Sequence, residues 1–102
     1  MMVTEQASWQ SLADRLLALV EGIDTRQSRE AILALLERVQ TALGRMDSRA
    51  SNSALDELRT HIQTATQTWH AVWPRLGADP DFRMAVAREA RLWAKRLTDH
   101  AS

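Results

Sequence analysis

Apolar residues recur at alternating spacings of three and four along most of this chain, and the clearest example is the stretch 55–76. Its repeat is carried by Leu55, Leu58, Ile62, Ala65, Trp69, Val72 and Leu76. Such spacing places all of these side chains on one stripe of an α-helix, as in helical bundles and coiled coils. The pattern predicts a helix over about residues 54–73. Pro74 is expected to end or kink it, and Gly77 would end a longer helix.

Three further helices are predicted, at about residues 5–21, 25–44 and 80–98. The first has Trp9, Leu12, Leu16 and Leu19 on its apolar stripe, with Ala13, Leu17 and Val20 beside it. The second has Ile32, Leu36, Val39 and Leu43, broadened by Leu33, Leu35 and Ala42. The fourth has Phe82, Val86, Ala90, Trp93 and Leu97.

Residues that favour helix ends separate these stretches. Gly22 and Gly44 are placed where a left-handed residue would end the first and second helices. The second helix can start at Asp24 or one turn later at Ser28, and Asp79-Pro80 is a typical helix start. Thr4 or Ser8, and Ser53, are candidate caps, and the small polar residues 47–53 predict a loop.

Four helices with short connections favour an all-α fold, a small four-helix bundle with up-down-up-down antiparallel helices. Three long helices with the fourth docked across them is the alternative packing. The chain of 102 residues is expected to form one helical-bundle domain, residues 1–102.

Composition narrows the functional classes. Thirteen basic and thirteen acidic residues cancel, so no overall field draws the protein to nucleic acid or to a membrane. Twelve of the thirteen basic residues are arginine, which we interpret as codon bias in a GC-rich bacterial genome. Without cysteine, a signal sequence or a long apolar run, the expected location is cytoplasmic.

Residues that commonly perform chemistry are few. Glu57 and His61 share a helix face, as two metal ligands would, but no third ligand stands at a matching spacing nearby. An ordinary surface pair is therefore the favoured interpretation. His70 points away from His61, and His100 lies in a tail expected to fray from Thr98 onwards. No phosphate loop, nucleophile elbow or metal-binding motif is present, which predicts a non-enzyme without cofactor or metal.

The third helix carries no formal charge between Arg59 and Arg75, where a solvated helix usually has Lys and Glu. Interface centres are depleted of charge and retain neutral polar groups and aromatic rings. The expected function is therefore a non-catalytic protein–protein interaction module, a self-associating adaptor, chaperone or regulatory subunit. Its expected contact residues are Thr64, Gln67, Thr68, His70 and Trp73.

The four tryptophans have different expected roles. Trp9, Trp69 and Trp93 lie on apolar stripes and are expected to meet in one layer of the core. Trp73 lies off the stripe beside Pro74, and core packing and a partner contact are equally compatible with that position.

The alternative function is a small helical subunit of a nucleoprotein complex. Arg88, Arg91 and Lys95 form a basic stripe on the fourth helix that could follow RNA or DNA phosphates. Acidic residues on the same helix weaken that stripe, and a solvated surface is the favoured interpretation of it.

Overall fold

The computed structural model describes residues 5–46 and 53–101, which form four α-helices without any strand in those ranges. They are α1 (Glu5–Asp24), α2 (Arg29–Gly44), α3 (Ser53–Leu76) and α4 (Pro80–Ala101). The predicted cap at Thr4 and, apart from Ser53, the predicted loop at 47–53 lie outside the described residues. So do the side chains of residues 5–8, 53 and 100–101, including Ser8 and His100.

The helices form the predicted up-down-up-down bundle, 42 Å long and about half as wide. Each helix packs against its neighbour in sequence, and α4 closes the ring against α1. Within the described ranges no Cα atoms of the diagonal pairs, α1 with α3 and α2 with α4, come within 8 Å of each other. The bundle order, rather than a fourth helix docked across three others, is therefore the one adopted.

Side-chain size sets the spacing of the helices around this ring. The α1–α4 pair is the most closely packed, and small buried residues accompany it: Ala13, Ala87, Ala90 and Ala94. The α3–α4 pair is the least closely packed. Large rings fill the space between these two helices, with Trp69 stacked on Trp93 at 5.1 Å and Trp73 against Phe82 at 5.6 Å.

The turn between α1 and α2 differs from the prediction. Gly22 does not end α1, which continues to Asp24. A Cβ atom on Gly22 would lie 2.6 Å from Leu35 Cδ1, so this glycine leaves room for α2 to pass. The left-handed residue is instead Arg26, with φ of 57°. Ser28 then caps α2 by accepting the Ala31 N–H at 3.1 Å, which is the later of the two starts considered.

The second helix ends at residue 44 as predicted, although Gly44 has a different role there, and α3 takes the longer of the two ends considered, with Gly77 directly after its last residue. Gly44 is the last residue of α2 rather than a left-handed residue after it, and Arg45 follows in right-handed geometry. α3 continues through Pro74 to Leu76, and the Gly77 N–H donates to Trp73 O at 2.8 Å. The Pro74 carbonyl remains satisfied because Arg29 donates to it at 3.0 Å.

α4 begins as predicted and ends later than predicted. Asp79 caps it, since its Oδ1 accepts the Asp81 N–H at 2.9 Å. The helix does not end near residue 98 but extends to Ala101.

The buried stripe of α3 is rotated from the predicted one. Leu55 and Ile62 are buried as expected, but Thr66 and Trp73 are completely buried while Leu76 is exposed. A strict seven-residue repeat drifts about 20° per heptad around a straight helix, so the later positions leave the core side. On α1 the predicted stripe is buried, but the prediction that Leu17 widens it is wrong, since this residue lies at the flank and is 45% exposed.

Candidate interaction surface on the third helix

Three of the five residues predicted to contact a partner lie together on the outside of α3. Thr64, Gln67 and Thr68 are exposed, and Thr60 and Ala71 are exposed on the same side. We call these five residues the α3 outer face. At 1.5 Å per residue the face is about 17 Å long, and none of its residues carries a charge.

Hydroxyl groups on this face are partly satisfied within the helix itself. Thr60 Oγ1 donates to Asp56 O at 3.0 Å, and Thr68 Oγ1 donates to Thr64 O at 3.1 Å. A threonine that donates to the preceding turn has no hydroxyl hydrogen left for water or for another residue. The α3 outer face is therefore less polar than its composition suggests, because methyl groups and helix-bonded hydroxyls occupy much of it.

The other two predicted contact residues are not on this face. Trp73 is completely buried, and its indole N–H donates to Arg29 O at 2.9 Å. Of the two roles considered for Trp73, the structure shows the core role. His70 is half-buried and turns toward α2, where its Nε2 lies 3.1 Å from Glu37 Oε2.

Charged residues mark both ends of the α3 outer face. Glu57 precedes it and Arg75 follows it, and both side chains are exposed. They are 18 positions apart in the sequence, which is about five turns of a helix with 3.6 residues per turn. The two charges therefore lie on the same side of α3, one at each end of the α3 outer face.

The three cations of the predicted phosphate-binding stripe are all exposed on α4, but two of them have carboxylate partners. Arg91 pairs with Asp24 of α1 at 3.2 Å, and Lys95 pairs with Asp99 one turn later at 3.2 Å. Arg88 has no such partner among the described residues. The stripe is therefore less basic than the sequence suggests.

An open pocket of about 860 Å³ lies beside this stripe, where the α1–α2 turn meets the first half of α4. We call it the arginine pocket, because it is lined by Arg26, Arg83, Arg88 and Arg91, with Ile23 and Met84 among its apolar residues. Arg26 was not predicted to belong to a site, since nothing in its local sequence shows that the α1–α2 turn approaches α4.

His61, the other described histidine of α3, faces α4. Its ring forms a T-shaped pair with that of Trp93, with ring centroids 5.6 Å apart. Within the described part of the chain, no three His, Asp or Glu side chains come together as metal ligands would. Of the three tryptophans predicted to share a layer of the core, Trp69 and Trp93 stack on each other, with Trp93 buried and Trp69 partly buried.

Comparison of the chain with models of known protein families, with curated proteins and with solved structures finds no match. None of the described helices combines the length and the apolar character that crossing a membrane requires.

Proposed function

We propose that the protein is a non-catalytic interaction module that binds a second copy of itself through the α3 outer face. The observation that supports this most directly is the α3 outer face itself, an exposed surface without formal charge that lies between Glu57 and Arg75 on one side of the helix. A symmetric dimer places the same surface patch against itself, so charge at the centre of the patch would face like charge. A neutral patch avoids that repulsion.

The charges at the two ends indicate how the two copies are oriented. A two-fold axis crossing α3 near residue 66 makes the two copies of this helix antiparallel. Glu57 of one copy then lies opposite Arg75 of the other, and the reverse pair forms at the far end. A parallel arrangement would oppose Glu57 to Glu57 and Arg75 to Arg75, which is unfavourable.

The same axis places Thr64 of one copy beside Thr68 of the other, at the centre of the contact. Close approach there is helped by Ala71 and by the short threonine side chains. A contact about 27 Å long, from Glu57 to Arg75, on one helix buries less area than a standard interface. The dimer is therefore expected to be reversible and concentration-dependent.

The nucleoprotein alternative has less support from the geometry. Two of its three predicted phosphate contacts, Arg91 and Lys95, already pair with carboxylates. A protein that followed a nucleic acid backbone would present unpaired cations along the stripe.

Sedimentation equilibrium from micromolar to millimolar concentration tests the proposal. The wild-type protein is expected to shift from monomer to dimer across this range. A Thr64→Lys, Thr68→Lys variant should remain monomeric, because each new lysine would face another lysine across the axis.

An Ala18→Lys, Ala34→Lys variant is the matched control. It adds the same charge at exposed positions on α1 and α2, away from the α3 outer face, and should dimerise like the wild type. A wild-type protein that stays monomeric throughout would overturn the proposal. So would an equal loss of dimer in both variants.

A further inference from the structure

We propose that the arginine pocket binds a small organic phosphate, a molecule with one phosphate group and an apolar or aromatic body. The pocket is formed by the end of α1, the α1–α2 turn and the first half of α4, away from the α3 outer face, so this inference does not depend on dimer formation through that face. Its four arginines face one carboxylate, that of Asp24. Arginine holds phosphate through paired N–H donors.

The four arginines differ in their hydrogen bonds within the protein, and the guanidinium groups of two of them are available to a ligand. Arg83 Nη1 donates to Gln27 O at 2.8 Å, and its Nε donates to Gly77 O, so it ties the helix connections together. Arg91 is engaged by Asp24. Among the described residues, no carboxylate or carbonyl oxygen accepts a hydrogen bond from Arg26 or Arg88.

The backbone at Arg26 is the second observation. Its φ of 57° is a conformation that glycine or asparagine adopts at lower cost than arginine. The turn holds it there, since the Arg26 N–H donates to Ile23 O and the Gln27 N–H donates to Gly22 O, both at 3.0 Å. An arginine in this position is unfavourable for the fold and places a cation at the pocket.

The size and lining of the pocket favour a small molecule over a polymer. About 860 Å³ is within the range of small-molecule sites. Ile23, Met84 and Ala87 supply an apolar wall next to the guanidinium groups. A ligand with both a phosphate and an apolar body would contact both parts of the pocket.

Isothermal titration calorimetry with 1-naphthyl phosphate tests the inference. The probe is expected to bind the wild-type protein saturably, and 1-naphthol, which lacks the phosphate, is expected not to bind. Arg26→Gly and Arg88→Ala should each weaken binding about tenfold, as expected for loss of a charged hydrogen-bond donor. Asp24→Asn should strengthen binding, because it removes the only carboxylate in the pocket lining.

Two controls separate binding from folding and from general charge. Arg26→Gly should raise the unfolding temperature while it weakens binding, whereas a purely structural residue would lower it when replaced. Lys95→Ala removes a cation from the same helix outside the pocket lining and should leave binding of the probe unchanged.

Three results would overturn the inference. One is the absence of saturable binding, and another is binding of 1-naphthol as tight as that of the phosphate. The third is tighter binding of a DNA duplex that depends on Lys95 as strongly as on Arg26, since it would indicate an extended nucleic acid surface.

Discussion

Thr66 is a polar residue that lies on the buried stripe of α3, where an apolar residue is expected. Its side chain is completely buried, and its hydroxyl donates to Ile62 O at 2.9 Å and lies 3.1 Å from Gln63 O. The hydroxyl is thus satisfied within α3, and the methyl group is what packs against the rest of the core. A polar residue can therefore occupy a central core position without a partner on another helix.

Replacing Thr66 separates the contributions of these two groups. Thr66→Val keeps the shape and removes the hydroxyl, so the free energy of unfolding should be unchanged or higher by up to about 1 kcal/mol. Thr66→Ser keeps the hydroxyl and removes the buried methyl group, which should cost about 1 kcal/mol or more. Urea unfolding monitored by circular dichroism measures both changes. If valine proved more destabilising than serine, the hydroxyl and not the methyl group would be the important part.

At the scale of elements, two glycines at helix ends have opposite surroundings. A Cβ atom on Gly77 would lie 2.7 Å from both the indole ring and the carbonyl oxygen of Trp73. A Cβ atom on Gly44 would meet nothing within 4 Å. Neither glycine has a positive φ, so available space, rather than backbone conformation, distinguishes them.

Alanine at each position is expected to change stability in opposite directions. Gly77→Ala should lower the free energy of unfolding by about 1–3 kcal/mol, because the backbone carbonyl and the buried indole of Trp73 cannot easily move away. Gly44→Ala should raise it by about 0.5–1 kcal/mol, since alanine is the better helix former. Thermal unfolding of the two variants side by side checks this. A destabilised Gly44→Ala would contradict the account of the α2 end.

The elements themselves followed from the apolar spacing, because a repeat of three and four residues is a local property of the chain. Helix caps such as Ser28 and Asp79 could also be predicted, because a capping oxygen accepts a hydrogen bond from a backbone N–H only a few residues further on. The rotation of α3 about its own axis could not be predicted from the sequence. A strict heptad repeat places other residues toward the core, whereas the large ring of Trp73 occupies that position in the structure. The membership of the two candidate sites could not be predicted either, because it depends on how the helices pack. That packing buries Trp73 away from the α3 outer face and brings Arg26 close to α4.

At the scale of the whole molecule, the bundle presents two distinct surfaces. The α3 outer face is neutral and bounded by one acidic and one basic residue, whereas the arginine pocket is cationic and concave. The arrangement of aromatic rings between α3 and α4 keeps these helices apart without using the outside of α3. This leaves the neutral face available to a second copy of the protein.

Charge reversal at the ends of the α3 outer face is the sharpest test of the antiparallel dimer. Glu57→Arg and Arg75→Glu should each weaken the dimer, because each places like charges opposite one another in the antiparallel pair. The double variant, Glu57→Arg with Arg75→Glu, restores opposite charges at both ends and should dimerise like the wild type in sedimentation equilibrium. The antiparallel dimer would be contradicted if neither single reversal weakened dimerisation, or if the double variant dimerised as weakly as the single variants.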